Sequence, residues 1–170
     1  MRIIGIDPGL RHTGWGIVEF KNNKLNYIGD GRISPSTSIP DGERLFFIKK
    51  QLLEIISKYI PNKSAIEQIF VGFGAGSSLK LGMARGVSMS VLAESGLKIS
   101  EIPPKLVKKT ITGYGSASKQ QIKSMIEKLL HIIPKNEDSA DALAIAISAH
   151  HIENDNMTSN LQAANNLSLI

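Results

Sequence analysis

Over the first 34 residues, apolar runs alternate with short polar breaks. Ile3 to Ile6 form one run and Trp15 to Val18 another, and "KLNYIGDGRIS" follows an Asn-Asn-Lys break. This pattern predicts strands at 2–7, 14–20 and 24–34, with the Asn-Asn-Lys break as a hairpin turn. Three strands in succession predict an antiparallel meander. The period then changes. Leu45, Ile48, Leu52, Ile55, Ile56 and Tyr59 recur at helical spacing, with Asp41 the expected N-cap and Pro61 the stop. "SAIEQIF", 64–70, reads as a buried strand carrying one acid. After the glycine-rich "VGFGAGSS", residues 77–95 read as a helix unusually rich in Gly, Ala and Ser. "LKISEIP" reads as a fifth strand, and 105–112 as a short helix. Residues 118–131 repeat Ile122, Met125, Ile126, Leu129 and Leu130 on one face of an amphipathic helix. A last, Ala- and Ile-rich helix is expected to start near Asp138. The order predicts an α/β fold: a mixed sheet with helices on its faces.

Composition narrows the class. A chain of 170 residues with 42% apolar content suits a single domain, expected over 1–153. The polar, Asn-rich 154–170 is expected to be a flexible tail. There is no cysteine, which excludes disulfides and thiolate metal sites. No apolar run is long enough to cross a bilayer and "MRIIGIDPG" does not read as a signal peptide, so a cytoplasmic protein without membrane contact is expected. The formal charge of +5 and pI near 9.5 favour a polyanionic partner, chiefly nucleic acid.

Acids then stand where their neighbours are apolar: Asp7 after the first strand, Glu67 in "AIEQIF", and Asp138 with Asp141 in "DSADALAIAI". Each has an ordinary reading. Asp7 suits a turn, Glu67 a salt bridge to a lysine, Asp138 an N-cap, and Asp141 the favourable end of a helix dipole. Taken together they suggest more. Asp138 and Asp141 share a helix face, and Asp7 and Glu67 lie in candidate central strands. Four carboxylates in one pocket demand protons or cations, and an all-oxygen set suits hard divalent ions such as Mg²⁺. Ion pairs so held are a known engine of phosphodiester cleavage, one activating water and the other stabilising the leaving oxygen. Setting these four acids aside leaves 11 against 20 basic groups, a formal +9 suited to holding a phosphate backbone.

The blocks "GIDPGLRHTGWGIV", "AIEQIF", "LKLGMARGV", "GSASKQQI" and "DSADALAIAI" resemble, in order over about residues 2–151, the RuvC family of crossover junction endodeoxyribonucleases. The resemblance implies a ribonuclease H-like fold, a five-stranded mixed sheet with helices on both faces. It implies a homodimer that cuts two opposing strands of four-way (Holliday) junction DNA in recombination and repair. It also implies Mg²⁺, two ions per site with Mn²⁺ able to substitute, and work beside a branch-migration helicase (RuvA and RuvB). By motif, Asp7, Glu67, Asp138 and Asp141 correspond to the metal ligands, and Lys108 and Lys119 to basic active-site residues. Phe70 corresponds to an aromatic that stacks on or unstacks junction bases. Phe73, Lys80, Arg85 and Lys109 complete the candidate DNA contacts with Lys108 and Lys119. The chain departs from the family at "VGFGAGSS", 71–78, which is less polar and basic than expected. The small-residue helix at 77–95 is the candidate dimer contact, its alternative being close packing on its own sheet. His150 and His151, expected at the end of the last helix, read as dipole-favoured surface groups. Rival readings are a ribonuclease acting on RNA–DNA hybrids, a nucleotide-dependent kinase suggested by Asp-Pro-Gly, and a non-catalytic junction binder.

Overall fold

The computed structural model describes residues 1–22, 24–69 and 74–167, without the side chains of 75 and 153–167. Ten elements follow one another: β1 (Arg2–Asp7), β2 (Thr13–Lys21), β3 (Lys24–Ile33), α1 (Asp41–Tyr59), β4 (Lys63–Glu67), α2 (Ala75–Glu94), β5 (Lys98–Ile102), α3 (Pro104–Thr112), α4 (Lys119–Leu130) and α5 (Glu137–Leu167). They form one five-stranded sheet in the order β3-β2-β1-β4-β5. The first three strands make the expected antiparallel meander, while β4 and β5 run parallel to β1 and to each other.

The central strand β1 is covered on both sides, which is why it reads as an apolar run rather than an alternation. Ile4 and Ile6 pack into a core with Ile48 and Leu52 of α1 and Ala84, Val91 and Leu92 of α2. Ile3, on the opposite face, joins α3, α4 and α5 through Val107, Ile111, Ile122, Ile126, Leu143 and Ile147. Because side chains alternate along a strand, Ile3, Gly5 and Asp7 share this second face.

Helix α5 lies on β1 and β2 unusually closely. Gly5 pairs with Gly16, and Asp7 with Gly14, across the two strands. A Cβ on Gly5 would stand 2.1 Å from the carbonyl oxygen of Ala142, and one on Gly14 2.1 Å from that of Asp138. A third on Gly16 would stand 2.6 Å from the Leu143 nitrogen. These glycines are a bare floor on which the α5 backbone rests, and no other residue fits there. The helix answers with Ala142 and Ala146, both fully buried.

Several expected boundaries shift. Asp41 is the first helical residue of α1, not its N-cap; Pro40 holds the cap position and no side chain caps it. Asp41 instead pairs with Arg44 at 2.9 Å and Lys80 at 3.4 Å. Asp138 does not cap α5 either. The Asn136 side chain accepts from the Ser139 nitrogen at 2.9 Å, and the Ser139 hydroxyl accepts from the Asn136 nitrogen at 3.2 Å, a reciprocal cap two residues earlier. Helix α5 continues to Leu167, well beyond the expected start of the tail, because no Gly or Pro interrupts the chain after Pro134. His150 and His151 therefore lie mid-helix, away from any helix end. The His150 ring stacks on Phe20 with centroids 3.5 Å apart, and that of His151 meets Phe20 edge-on. Their placement is set by aromatic contact, not by the dipole.

Candidate active site

Parallel pairing sets the first two acids side by side. The register of β1 on β4 runs from Ile3 opposite Lys63 to Ile6 opposite Ile66, so Asp7 and Glu67 end neighbouring strands on the same face. The carboxyl ends of parallel strands are where open α/β sheets bind ligands. The loop after Asp7 is closed by Thr13: its hydroxyl donates to the Gly9 carbonyl at 2.7 Å and accepts from the Gly9 nitrogen at 3.3 Å. Arg44, nearly buried, donates to the Leu10 carbonyl at 3.0 Å. Thr13 and Arg44, not Asp7, thus tie down the turn.

Helix α5 supplies the other wall. Asp138, Asp141, Ala142, Ile145 and Ala146 lie on one helical face, and the contacts of Ala142 and Ala146 with Gly5 press that face onto β1. The result is a cleft of about 140 Å³ lined by Asp7, Glu67, Asp141, Lys108, Lys119, Pro104, Val107, Ile122 and Ile145. Lys119 opens α4, where Ser118 and Gln121 form a capping box that holds this turn in place. Its ammonium donates to Asp141 Oδ2 at 3.1 Å. Asp138 stands beside the cleft, its Oδ2 3.3 Å from Arg32 on β3.

The electrostatics show how crowded the cleft is. Burial, then the charges of Asp141 and Glu67, push the Asp7 carboxyl up to about 8, against the pull of Lys119. Burial and the Asp141 charge raise Glu67, with Lys119 and Lys108 opposing. Burial also raises Asp141, against Lys119. Lys119 is held more firmly charged, chiefly by Asp141. Three carboxyl groups pushed towards their neutral form are what desolvated, mutually repelling acids produce. Among the described residues no three His, Asp or Glu side chains form a ready-made ion site. The donor set is nonetheless all oxygen, and a divalent cation would relieve the repulsion that now favours protonation.

A second buried carboxylate sits behind the first turn of α5. Asp30, fully buried on β3, accepts from the Tyr27 hydroxyl at 2.7 Å, the Lys135 nitrogen at 2.8 Å and the Ser139 hydroxyl at 2.6 Å. This network anchors the turn that carries Asp138 and Asp141.

The family profile described as crossover junction endodeoxyribonuclease RuvC matches residues 3–150. The chain belongs to the RuvC family. Among curated relatives, the RuvC of Rhodopseudomonas palustris (strain BisA53) is 48% identical over 153 residues, covering 89% of this chain and 88% of that protein. The RuvC of Azorhizobium caulinodans is 47% identical over 153 residues, covering 89% and 90%. Among solved structures, T. thermophilus RuvC in complex with a Holliday junction substrate superposes with a TM-score of 0.81 at 30% identity, covering 87% of this chain and 92% of that one. The yeast mitochondrial Holliday junction resolvase Ydc2, 14% identical over 86% of this chain and 77% of its own, shares the fold with a TM-score of 0.60. The expected ribonuclease H-like sheet is thus the fold of this RuvC family member.

The remaining candidates are scattered. Lys109 is exposed on α3, beside the half-buried Lys108. Arg85 turns inward: its Nε donates to the Glu67 carbonyl at 3.2 Å, and its guanidinium pairs closely with Glu101. Lys80 pairs with Asp41. Phe70 and Phe73 lie outside the described residues; of the 71–78 stretch, 74–78 are described, and α2 begins within it at Ala75 rather than at 77. Inference from sequence missed Arg32, Asp30 and the glycine floor. Only the spacing of Gly14 and Gly16, two apart in a strand that otherwise reads apolar, hinted at a close approach on one face.

Proposed function

We propose that this chain cleaves four-way junction DNA as a divalent-metal-dependent endonuclease. The observation that carries the reading is the convergence of Asp7, Glu67 and Asp141 with Lys108 and Lys119 in one cleft, in a RuvC family chain. Asp7, Glu67 and Asp141, with Asp138 beside them, are the residues that would hold Mg²⁺, two ions in the proposed arrangement. Bound there, the metal supplies Lewis-acid charge at the scissile phosphate. The protein's own side chains do the rest. Lys119 and Lys108 place positive charge where negative charge builds up on the phosphate. Val107, Ile122 and Ile145 wall the cleft with apolar surface, which strengthens those charges. The Asn136–Ser139 cap and Asp30 hold the acidic turn still.

Two cuts on a junction with near two-fold symmetry call for two copies of the site, and we assign the dimer contact to the outward face of α2. Ala84 and Ser88 of its small-residue stripe pack inward, as the alternative reading expected. Leu79 and Met83 stay exposed, at 62% and 41%, and a Cβ at Gly82 or Gly86 would meet nothing within 4 Å. The family resemblance supports a role beside the RuvA–RuvB branch-migration helicase, in the cytoplasm. No helix among the described residues is long and apolar enough to cross a membrane.

The test incubates the protein with labelled four-way junction, linear duplex and RNA–DNA hybrid, with and without Mg²⁺. Paired nicks in the junction alone, only with Mg²⁺, are expected, and Asp7→Asn should bind the junction without cutting it. Hybrid cleavage with an intact junction would shift the assignment to a ribonuclease. Full cleavage by Asp7→Asn would remove the mechanism.

A further inference from the structure

The net positive charge of this chain has one source. Of the 20 Lys and Arg residues, six lie within 104–130 (Lys105, Lys108, Lys109, Lys119, Lys123 and Lys128), against one of the 15 acids, Glu127, so the rest of the chain carries 14 of each sign. Those 27 residues are α3, α4 and the loop between them. Two of the lysines line the acidic cleft. On the outer side of α4 lies a second, wider groove of about 390 Å³. Its walls are the end of α3, the connecting loop and the outward residues of α4, among them Tyr114, Ser116, Ser124, Met125 and Lys128.

Tyr114 is the unusual member. It is 73% exposed and lines the groove with its ring free of any aromatic partner among the described residues. Its backbone, by contrast, is tied on both sides. The Thr112 hydroxyl accepts from the Tyr114 nitrogen at 3.3 Å and donates to its carbonyl at 3.1 Å, and the Ala117 nitrogen donates to that carbonyl at 3.4 Å. Gly113, at φ +83°, makes the left-handed step that ends α3 and turns the chain outward here. The ring therefore projects from a fixed base, an arrangement that lowers the entropy lost on binding. Among the described residues Lys128 has no ion-pair partner, and the Ser116 and Ser124 hydroxyls make no hydrogen bond.

We infer that this groove seats a nucleotide of the DNA flanking the cut, with the base or sugar against the Tyr114 ring and its phosphate at Lys128. The inference rests on the reading of the chain as a junction nuclease. A ring, a free cation and two idle hydroxyls around a nucleotide-sized space are the elements by which proteins hold a strand without reading its sequence. The groove and the cleft share α4, so a strand entering the cleft past Lys119 leaves its next segment within reach of that helix's outer side. Tyr114 then fixes where along the strand the cleft falls.

The test measures binding of a fluorescent four-way junction to the full-length protein in EDTA from 50 to 200 mM salt, with Mg²⁺-dependent cleavage by the wild type run alongside. Tyr114→Ala should weaken binding about tenfold, as loss of one base-stacking platform does, and Tyr114→Phe should restore it. Lys128→Ala should reduce the slope of log affinity against log salt by about one phosphate contact, and Lys50→Ala, exposed on α1 across the opposite face of the sheet, should leave it unchanged. Both surface variants should melt with the wild type. If Tyr114→Ala and Lys128→Ala bind as the wild type does while the wild type cuts junctions, the groove assignment falls and the nuclease reading stands. Equal losses in Tyr114→Phe, or an equal slope change in Lys50→Ala, would also overturn the groove. A wild type that neither binds nor cuts junctions overturns both readings.

Discussion

Replacing Asp7 with Asn should stabilise the metal-free protein, by an amount that grows with pH. Burial and the neighbouring Asp141 and Glu67 charges raise the Asp7 carboxyl from 3.8 to about 8. Between those values the folded chain keeps a proton that the unfolded chain has released. Wild-type stability is therefore full below pH 3.8 and declines as pH rises, until the folded carboxyl also ionises near pH 8. Each pH unit in that window removes about 1.4 kcal/mol, or roughly 4 kcal/mol over three units. An amide of the same shape carries no such dependence. At roughly 2–4 °C per kcal/mol for a chain of this size, the melting temperature of Asp7→Asn minus that of the wild type should widen by roughly 10 °C between pH 4.5 and pH 7.5. The assay is thermal melting by circular dichroism in EDTA across that range, with both proteins in the same buffers so that other titrations cancel. Adding Mg²⁺ at pH 7.5 should raise the wild type and narrow the gap. A difference that stays flat with pH would show that Asp7 does not share a desolvated cleft with Asp141 and Glu67, and the electrostatic basis of the site would be refuted.

Three further outcomes follow from the packing. Gly5→Ala drives a Cβ into the backbone of α5, with the Ala142 oxygen at 2.1 Å and the Ala146 nitrogen at 2.7 Å, and should cost about 3 kcal/mol or more in urea unfolding. Asp30→Ala strands the Tyr27 hydroxyl, the Lys135 nitrogen and the Ser139 hydroxyl. It should cost about 3 kcal/mol and slow cleavage, although Asp30 is fully buried and out of reach of DNA. Lys119→Ala should lower single-turnover cleavage about 10²–10³-fold with junction binding changed only a few-fold, since its charge acts where the phosphate turns negative; a loss confined to binding would reassign Lys119 to DNA grip.

Much of this protein was legible from residue order. The five strands and five helices follow from period and punctuation, because apolar runs and helical repeats report locally on burial. The candidate acids stood out because a carboxylate among apolar neighbours is costly unless something pairs with it. Helix ends were read less well. Asp41 and Asp138 suit a cap by type, but Pro40 and Asn136 hold those positions, since capping depends on where the chain enters the helix. The end of α5 was placed too early because a polar, Asn-rich stretch looks like a tail although nothing in it breaks a helix.

Residue order alone thus determined the α/β class and the chemistry available to the site, and its charge balance favoured a polyanionic partner. Tertiary structure decided which groups meet. Parallel pairing of β1 with β4 brings together Asp7 and Glu67, 60 positions apart, and the glycine floor lets α5 close enough to add Asp141. It also matched Arg32 to Asp138 and Asp30 to Ser139, each more than 100 residues away in the chain. The physical reason is range. Periodicity and turn chemistry act within a few residues, whereas the carboxyl ionisation and helix placement that make this site arise from contacts between distant segments that exist only once the sheet has formed.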